Sequence, residues 1–232
     1  MPRAIAKSPN AQYNIAAANS LPVRIAAFAR RGMYAAFLRC TAIDPAETLL
    51  DVGVTSERSY EASNYLEAWY PHKNRITAVG IDDASFLESL YPGVRYVHAS
   101  GLDLPFADGS FDVVHSSAVL EHVGSAANQL LFLQQLTRVA RRAVFVTTPN
   151  RWFPIEFHTI LPLVHWLPKR TFRALLRDTR YDFFAKEENL NLVGRSELLE
   201  LCRPIAGWGA RVTYQRLLGL PSNLLLTLRR TG

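Results

Sequence analysis

Short apolar runs alternate with amphipathic segments through the middle of the chain. The runs are continuous rather than alternating in polarity, which is typical of parallel strands that are buried on both faces. We predict strands at residues 48–53, 76–81, 94–98, 111–116 and 143–148. Strands that alternate with helices in this way indicate an α/β fold with an open, mostly parallel sheet.

Helical spacing of apolar residues predicts the elements between and around these strands. We expect helices at residues 22–40, from Ser56 or Ser59 through Trp69, and at 84–90, 129–138, 170–180 and 197–202. Residues 210–217 and 224–228 are predicted to form a hairpin at the edge of the sheet, and residues 1–20 to be loosely ordered.

Candidate ligand-binding residues follow the first two strands. Gly53 lies where a strand must turn sharply and let a ligand approach the backbone, and the second strand ends on Asp82. Doubly wound folds place a carboxylate there, on the two hydroxyls of a ribose. A nicotinamide dinucleotide would need a loop with several glycines around its pyrophosphate. The single glycine of this loop argues against a nicotinamide dinucleotide.

Composition sets the outer limits. With 232 residues, 49% of them hydrophobic, the chain can bury a sizeable core. Cys40 and Cys202 are too few for a disulfide framework or a cysteine metal cluster, so we expect no metal site and a reduced, cytoplasmic setting. No apolar run is long enough to span a membrane, and no secretory signal pattern is present.

The net charge of +6 is concentrated at the two ends of the chain. Residues 1–44 contain several basic residues against the single acid Asp44, and residues 203–232 contain arginines and no acid. One interpretation is weak contact with anionic surfaces. The other is an ordinary solvated surface, which is favoured because no nucleic-acid-binding motif is present. We therefore expect no specific nucleic-acid partner.

Four segments carry a resemblance to a known family: 49–53 (LLDVG), 80–82 (GID), 104–114 (LPFADGSFDVV) and 119–123 (VLEHV). In this order they resemble the class I S-adenosylmethionine (SAM) dependent methyltransferases, in particular the type 11 group that includes quinone-biosynthesis methyltransferases. The resemblance implies a Rossmann-like fold with helices on both faces of a seven-stranded, mostly parallel sheet. It also implies an antiparallel hairpin formed by the last two strands, and SAM as the cofactor.

The resemblance also implies site residues. Gly53 corresponds to the first glycine of the SAM loop and Asp82 to the acid that binds the ribose. The full set of cofactor-binding positions is Asp51, Gly53, Val54, Asp82, Asp83, Ser100, Gly101, Leu102 and Ser117. His122, at the Leu-Glu-His position, and His158, on a proline-rich segment after the fifth strand, are candidate general bases because neutral imidazole accepts protons near pH 7. Glu121 is expected to orient one of them.

The sequence departs from the family pattern in three places. Residues 54–57 (VTSE) replace the later glycines of the SAM loop, and a positive φ at Thr55 would be costly. The interval from Asp51 to Asp82 is 31 residues, which is long for the family, and Ser100 replaces a frequent aspartate. These departures leave three possibilities: a modified SAM site, a different nucleotide, or a fold that has lost its cofactor.

We therefore expect an N-terminal helical extension over residues 1–44 and a methyltransferase-like domain over residues 45–232, with a lid at about residues 149–192. The expected function is methyl transfer from SAM to a small-molecule or lipid-like acceptor. The alternative is a catalytically inactive methyltransferase-like protein that acts in binding or assembly. The acceptor, the methylated atom and the oligomeric state do not follow from the sequence.

Overall fold

The computed structural model describes residues 21–58 and 60–231. Its centre is a sheet of seven strands in the order β3-β2-β1-β4-β5-β7-β6. The strands are β1 (Leu49–Val52), β2 (Ile76–Gly80), β3 (Arg95–His98), β4 (Phe111–Ser117), β5 (Ala140–Pro149), β6 (Trp208–Leu217) and β7 (Leu220–Arg230). The first five strands run parallel, and β7 is antiparallel to both β5 and β6. The predicted strands and the edge hairpin are confirmed.

Helices cover both faces of the sheet, as predicted. They are α1 (Leu21–Thr41), α2 (Tyr65–Trp69), α3 (Phe86–Leu90), α4 (Ala126–Val139), α5 (Lys169–Leu176) and α6 (Arg195–Cys202). Side chains of α1, α2 and α3 pack in one hydrophobic cluster with Leu49 and Phe145, whereas those of α4 and α6 pack on the other face with Leu50 and Val144. Residues from both clusters are fully buried, which fixes the sheet between two apolar layers.

Two helical segments differ from the predictions for local reasons. The segment before Trp69 is a 3-10 turn (Glu61–Asn64) followed by the short α2, because Asn64 leaves helical backbone geometry. The basic helix α5 ends at Leu176 rather than at residue 180. It ends there because the backbone of Arg177 is extended and Asp178 has a φ of 57°. The predicted cap at Ser59 and the loosely ordered residues 1–20 lie outside the described residues.

The edge hairpin is tighter than predicted. Leu217 pairs with Leu220, so only Leu218 and Gly219 form the turn, with φ values of 50° and 81°. Two positive φ values are the signature of the two-residue turn that matches the twist of paired strands. Residues 220–223, expected in the loop, therefore belong to β7.

The predicted lid, at about residues 149–192, lies between β5 and α6 and has its own small apolar cluster, and we refer to this segment as the lid. It contains α5 and two 3-10 turns, Val164–Trp166 and Asp182–Ala185. Phe172 and Leu176 of α5 pack against a group that comprises Phe184, Ala185, Leu190 and Leu192. The lid starts from the carboxyl end of β5, which is the edge where parallel sheets bind ligands.

Candidate functional site

The turn after β1 requires glycine. Gly53 has a φ of 106°, and its N–H and that of Val54 both donate to the carbonyl of Val79, at 2.7 and 3.0 Å. A Cβ atom at Gly53 would lie 2.0 Å from Cγ2 of Val119. Both the positive φ and this close approach exclude a larger residue. The turn thus joins β1, β2 and the loop after β4 at one edge of the sheet.

A side chain that the sequence analysis missed holds the rest of this loop. The N–H of Thr55 donates to Oδ1 of Asn64 at 2.9 Å, and Nδ2 of Asn64 donates to the carbonyl of Thr55 at 3.0 Å. Both residues are buried. Thr55 is not among the residues with positive φ, so the strain expected there does not arise. In this loop, which lacks the later glycines, the side chain of Asn64 fixes the backbone at Thr55.

The predicted ribose acid lies at the carboxyl end of β2. Asp82 is half-buried, and its backbone carbonyl accepts a hydrogen bond from the hydroxyl of Tyr96 at 2.6 Å. The neighbouring Asp83 is exposed, and its Oδ1 accepts the N–H of Ser85 at 2.9 Å, which stabilises the turn into α3. Asp82 is therefore the better placed of the two for a ribose.

The loops after β3 and β4 complete this edge. The N–H of Leu102 donates to Oγ of Ser100 at 3.2 Å. A Cβ atom at Gly101 would lie 2.5 Å from the ring of Phe132, so a larger residue there would displace the loop. Ser117 shares a hydrogen bond with the hydroxyl of Thr147 at 2.8 Å. The predicted cofactor residues thus lie at the carboxyl ends of β1 to β4.

A buried polar network lies beneath the loop after β1. Nδ1 of His115 is 2.7 Å from Oδ1 of Asp51, and Nε2 of His115 is 2.9 Å from the hydroxyl of Tyr65. Burial lowers the pKa of His115 to about 4 and raises that of Asp51 to about 7. Burial and the adjacent charge of Asp51 raise the pKa of Glu67 well above its ordinary value. His115 is therefore neutral, and one oxygen of the predicted cofactor residue Asp51 is bound to it.

A second polar cluster connects the lid to the loop after β4. Nε2 of His158 on the lid is 3.1 Å from Nε2 of His122. Nδ1 of His158 is 2.6 Å from Oε1 of Glu156, and Nδ1 of His122 is 2.7 Å from the carbonyl of Asn189. Carboxylate and carbonyl oxygens only accept hydrogen bonds, so both Nδ1 atoms carry hydrogen. The structure thus brings together the two predicted catalytic histidines.

Charge in this cluster is set by burial and by the pairing of His158 with Glu156. Burial alone would lower the pKa of His158, but the Glu156 carboxylate outweighs it and holds that pKa above 6.5. Burial raises the pKa of Glu156, but the charge of His158 and the hydrogen bonds from His158 and Thr159 bring it down to about 2. The pairing therefore favours an imidazolium at His158 beside the Glu156 carboxylate, and the charged form of His158 directs its Nε2–H at His122.

Glu121 lies on the buried side of the same cluster. Its Oε2 accepts the hydroxyl of Thr148 at 2.9 Å, while Oε1, which is buried, has no hydrogen-bond partner among the described residues. Burial raises its pKa to about 7, against the opposing charge of His158. Oε1 lies 3.9 Å from Nε2 of His122, which is too far for a hydrogen bond. Glu156, which the sequence analysis did not select, is the carboxylate that accepts the Nδ1–H of His158.

The same cluster is the group of described residues that could hold a metal ion. One ligand atom each from Glu121, His122 and His158 lies within 4.8 Å of the others. Both histidines donate Nδ1–H to an oxygen, an arrangement common behind metal-bound imidazoles. A proton between the two Nε2 atoms would compete with an ion for the same lone pairs. The absence of a metal site stays a prediction.

A cavity of about 520 Å³ lies elsewhere. It is lined by residues that include Gly109, before β4, and Arg138, at the end of α4. These are at the amino ends of the parallel strands, opposite the ligand-binding edge. We do not assign it to the functional site.

The strand order, the glycine turn after β1 and the acid after β2 define the class of this protein as a Rossmann-like class I methyltransferase fold. The cofactor-binding residues stay a prediction: Gly53 and Asp82 lie at the carboxyl ends of β1 and β2, and the side chain of Val119 lies against Gly53.

A family model described as a methyltransferase domain matches residues 22–146. This is more than half of the chain, and the chain belongs to that family. Membership confirms the predicted class and SAM as the cofactor. No helix in the described part of the chain is both long and apolar enough to cross a membrane.

Curated relatives match a short stretch. The chain is 71% identical over 31 residues to an uncharacterised methyltransferase of Mycobacterium sp. (strain KMS), and an equal match exists in strain JLS. The match covers 13% of this chain and 12% of each relative's length.

Solved structures with a similar fold cover most of the chain. Magnesium protoporphyrin IX methyltransferase from Synechocystis PCC 6803, with bound S-adenosylhomocysteine, has a TM-score of 0.59 and 13% identity over 95% of this chain and 91% of that one. A SAM-dependent methyltransferase from Mesorhizobium loti has a TM-score of 0.56 and 14% identity over 85% and 98%. The [4+2]-cyclase SpnF has a TM-score of 0.58 and 13% identity over 93% and 84%. At these identities the similarity concerns the fold alone.

Proposed function

We propose that this protein transfers a methyl group from SAM to a small-molecule or lipid-like acceptor that binds between the carboxyl edge of the sheet and the lid. The observation that carries the proposal is the hydrogen-bonded chain from Glu156 through His158 to His122. It places titratable lid residues directly beside the loop that follows β4. An acceptor bound there would lie next to the predicted cofactor site.

The protein's own residues supply binding, orientation and proton transfer. When bound, SAM supplies an electrophilic methyl group. Asp82 holds the ribose through the two oxygens of its carboxylate. In-line displacement depends on orientation, and closure of the lid over the acceptor supplies much of it. Once His158 has released its proton, an imidazole Nε2 of the cluster can take the proton of an acceptor hydroxyl.

The raised pKa of His158 predicts how methyl transfer depends on pH if this residue is the general base. A general base must be deprotonated, so methyl transfer to an acceptor that loses a proton rises with pH. Because Glu156 stabilises the charged form of His158, we expect the rise above the ordinary histidine value of 6.5. Glu156→Gln should move it to lower pH.

Calorimetric titration with S-adenosylhomocysteine tests the cofactor site. We expect saturable binding by the wild type and binding at least tenfold weaker for Asp82→Ala, since hydrogen bonds to a charged group contribute about 1.5–3 kcal/mol. Asp108→Ala is the matched control, because Asp108 is exposed and pairs with Arg138 at the opposite end of the sheet. Equal affinities for both variants would contradict the assignment of Asp82.

Transfer of tritium from labelled SAM to defined hydroquinones, phenols and long-chain fatty acids tests the acceptor class. We expect labelled product with at least one of these groups, and its loss in the double variant His122→Ala/His158→Ala. Cofactor binding with unchanged transfer in the double variant would exclude the base role.

The second candidate function is a non-catalytic binding or assembly protein. The packing of Val119 against Gly53 favours it, because the side chain lies where the cofactor's methionine part is expected. A folded wild-type protein that fails to bind S-adenosylhomocysteine at millimolar concentration would support this second function.

A further inference from the structure

Exposed apolar side chains are concentrated in one part of the lid. The large hydrophobic side chains that remain exposed in the described chain number fourteen, and seven of them lie between residues 152 and 175. These are Trp152 (53% exposed), Ile155 (43%), Ile160 (51%), Leu163 (49%), Trp166 (41%), Leu167 (40%) and Leu175 (55%). Scattered exposed apolar residues are ordinary, but a contiguous group marks an interaction surface.

Local hydrogen bonds fix the centre of this group as a closed loop. The N–H of Glu156 donates to the carbonyl of Leu161 at 3.1 Å, and that of Leu163 to the carbonyl of Pro154 at 2.8 Å. Ile160 and Leu163 have φ values of 59° and 62°. A β-branched or bulky residue rarely adopts positive φ, and it persists only where the surroundings impose it. The exposure of these two side chains is therefore built into the loop.

The two sides of the loop differ in character. Glu156, His158 and Thr159 are buried on the inner side, where the carboxylate accepts both neighbouring N–H groups. The outer side presents apolar side chains, and the rings of Trp152 and Trp166 lie 6.4 Å apart beside it. We call the outer group the apolar tip: Trp152, Ile155, Ile160, Leu163, Trp166 and Leu167.

The sequence around the apolar tip is mainly basic, and the exposed acids Asp178 and Asp182 follow it. Between residues 151 and 177 the sequence contains Arg151, Lys169, Arg170, Arg173 and Arg177, and its single acid, Glu156, is 2% exposed. Helix α5 turns Phe172 and Leu176 inward and leaves Arg170 exposed, and Arg177, which follows the helix, is also exposed. Arg180 is exposed a few residues further on. We call Arg170, Arg177 and Arg180 the basic rim.

We propose that the apolar tip inserts into the headgroup region of an anionic phospholipid bilayer while the basic rim contacts lipid phosphates. Tryptophan and aliphatic side chains next to lysine and arginine are the residue types that bind at a bilayer interface. The single acid of residues 151–177, Glu156, is 2% exposed, so no carboxylate of this stretch opposes contact with anionic headgroups. Bilayer docking involves the outside of the lid only and does not depend on methyl transfer.

Docking would also determine how an acceptor enters, a consequence that rests on the proposed function. His158 lies on the inner side of the same loop whose outer side carries Ile160 and Leu163. A lipid-like acceptor leaving the bilayer at the tip would pass directly to the histidine cluster.

Vesicle sedimentation of the full chain tests the proposal. Vesicles of phosphatidylcholine with one quarter phosphatidylglycerol are compared with vesicles of pure phosphatidylcholine, at about 0.1 M salt. We expect binding to the anionic vesicles that is at least tenfold weaker in Ile160→Ser/Leu163→Ser. Each of Arg170→Gln and Arg177→Gln should weaken binding about fivefold, since one basic residue near such a surface contributes about 1 kcal/mol.

Matched controls separate docking from general surface effects. Leu90→Ser/Leu220→Ser removes two comparably exposed leucines outside the lid. Arg203→Gln/Arg211→Gln removes two exposed arginines that also lie outside the lid. Both controls should bind as the wild type does, and so should Asp82→Ala, which makes this result independent of the cofactor site. Equal binding by tip variants and controls, or no sedimentation with either vesicle, would overturn the proposal. Self-association that only the tip variants abolish, without vesicle binding, would assign the tip to a second copy of the chain instead.

Discussion

Replacement of Glu156 by glutamine would remove one charge from the buried imidazolium–carboxylate pair while preserving the shape of the side chain. The carboxylate accepts hydrogen bonds from Nδ1 of His158 at 2.6 Å and from the N–H groups of His158 and Thr159 at 2.9 and 2.6 Å. Loss of the charge leaves an uncompensated imidazolium in the interior. We therefore expect Glu156→Gln to reduce both the free energy of unfolding and the pKa of His158.

The pKa of Glu156 gives the magnitude. Its surroundings lower this pKa from 4.5 to about 2. One pKa unit corresponds to about 1.4 kcal/mol, so the folded protein favours the charged carboxylate by roughly 3 kcal/mol. Removal of one partner from a buried ion pair costs about 3–5 kcal/mol. We expect Glu156→Gln to destabilise the protein by roughly 3 kcal/mol.

The destabilisation should depend on pH. The folded-state pKa of Glu156 is depressed, so its contribution is complete above 4.5 and is lost as the pH falls through about 2. The folded-state pKa of His158 is raised, so its contribution is complete below 6.5 and is lost as the pH rises through the folded value. The wild type and the variant should differ most between about pH 4.5 and 6.5.

Urea unfolding at pH 5.5, 7 and 9 measures the free energy of unfolding, and NMR titration of the His158 ring measures its pKa. Glu187→Gln is the control, because Glu187 is an exposed lid carboxylate paired with Arg173 at 3.0 Å and should contribute less than about 1 kcal/mol. If Glu156→Gln lowers the free energy of unfolding by less than about 1 kcal/mol, or by the same amount at pH 5.5 and 9, Glu156 and His158 do not form a stabilising buried ion pair.

Three further results are expected. Asn64→Ala removes two buried hydrogen bonds to the backbone of Thr55, so urea unfolding should show a loss of about 1–3 kcal/mol in the free energy of unfolding. Calorimetry should show weaker binding of S-adenosylhomocysteine, and unchanged values would show that other contacts hold the loop. Phe37→Ala creates a cavity at a fully buried site against the rings of His115 and Phe145. The free energy of unfolding in urea should fall by about 3–5 kcal/mol, and a fall below about 1 kcal/mol would show that the surrounding side chains fill the cavity. Zn²⁺ at pH 6 should leave the thermal midpoint unchanged, because protons compete with the ion for the imidazole nitrogens at this pH. A rise in the midpoint that His122→Ala abolishes would establish a metal site.

The strands of the sheet could be predicted because burial on both faces leaves a local signal. Val52 and Val79 are buried, and their strands appear in the sequence as continuous apolar runs. Gly53 and Asp82 could be placed for a similar reason, since each follows directly on such a run.

The polar networks could not be predicted, because their partners are distant in sequence. His115 lies 64 residues from Asp51 and 50 from Tyr65, and His158 lies 36 residues from His122. The residues next to a side chain in the sequence do not indicate a partner that is so far away. The two histidines were selected as single residues, and their contact with each other emerged only from the fold. Glu156 adjoins His158 in sequence, yet only the closed loop directs its carboxylate back to the ring.

The position of β7 has a consequence for synthesis of the chain. β7 follows every other strand in sequence, yet it lies inside the sheet, paired with β5 from Ala143 to Pro149 and with β6 from Trp208 to Leu217. Until the ribosome has released residues 220–230, β5 has an open edge and β6 has no partner. An unpaired edge is a template for association with other chains. The nascent protein should therefore be most prone to aggregation, and most dependent on chaperones, in the interval just before its last strand emerges.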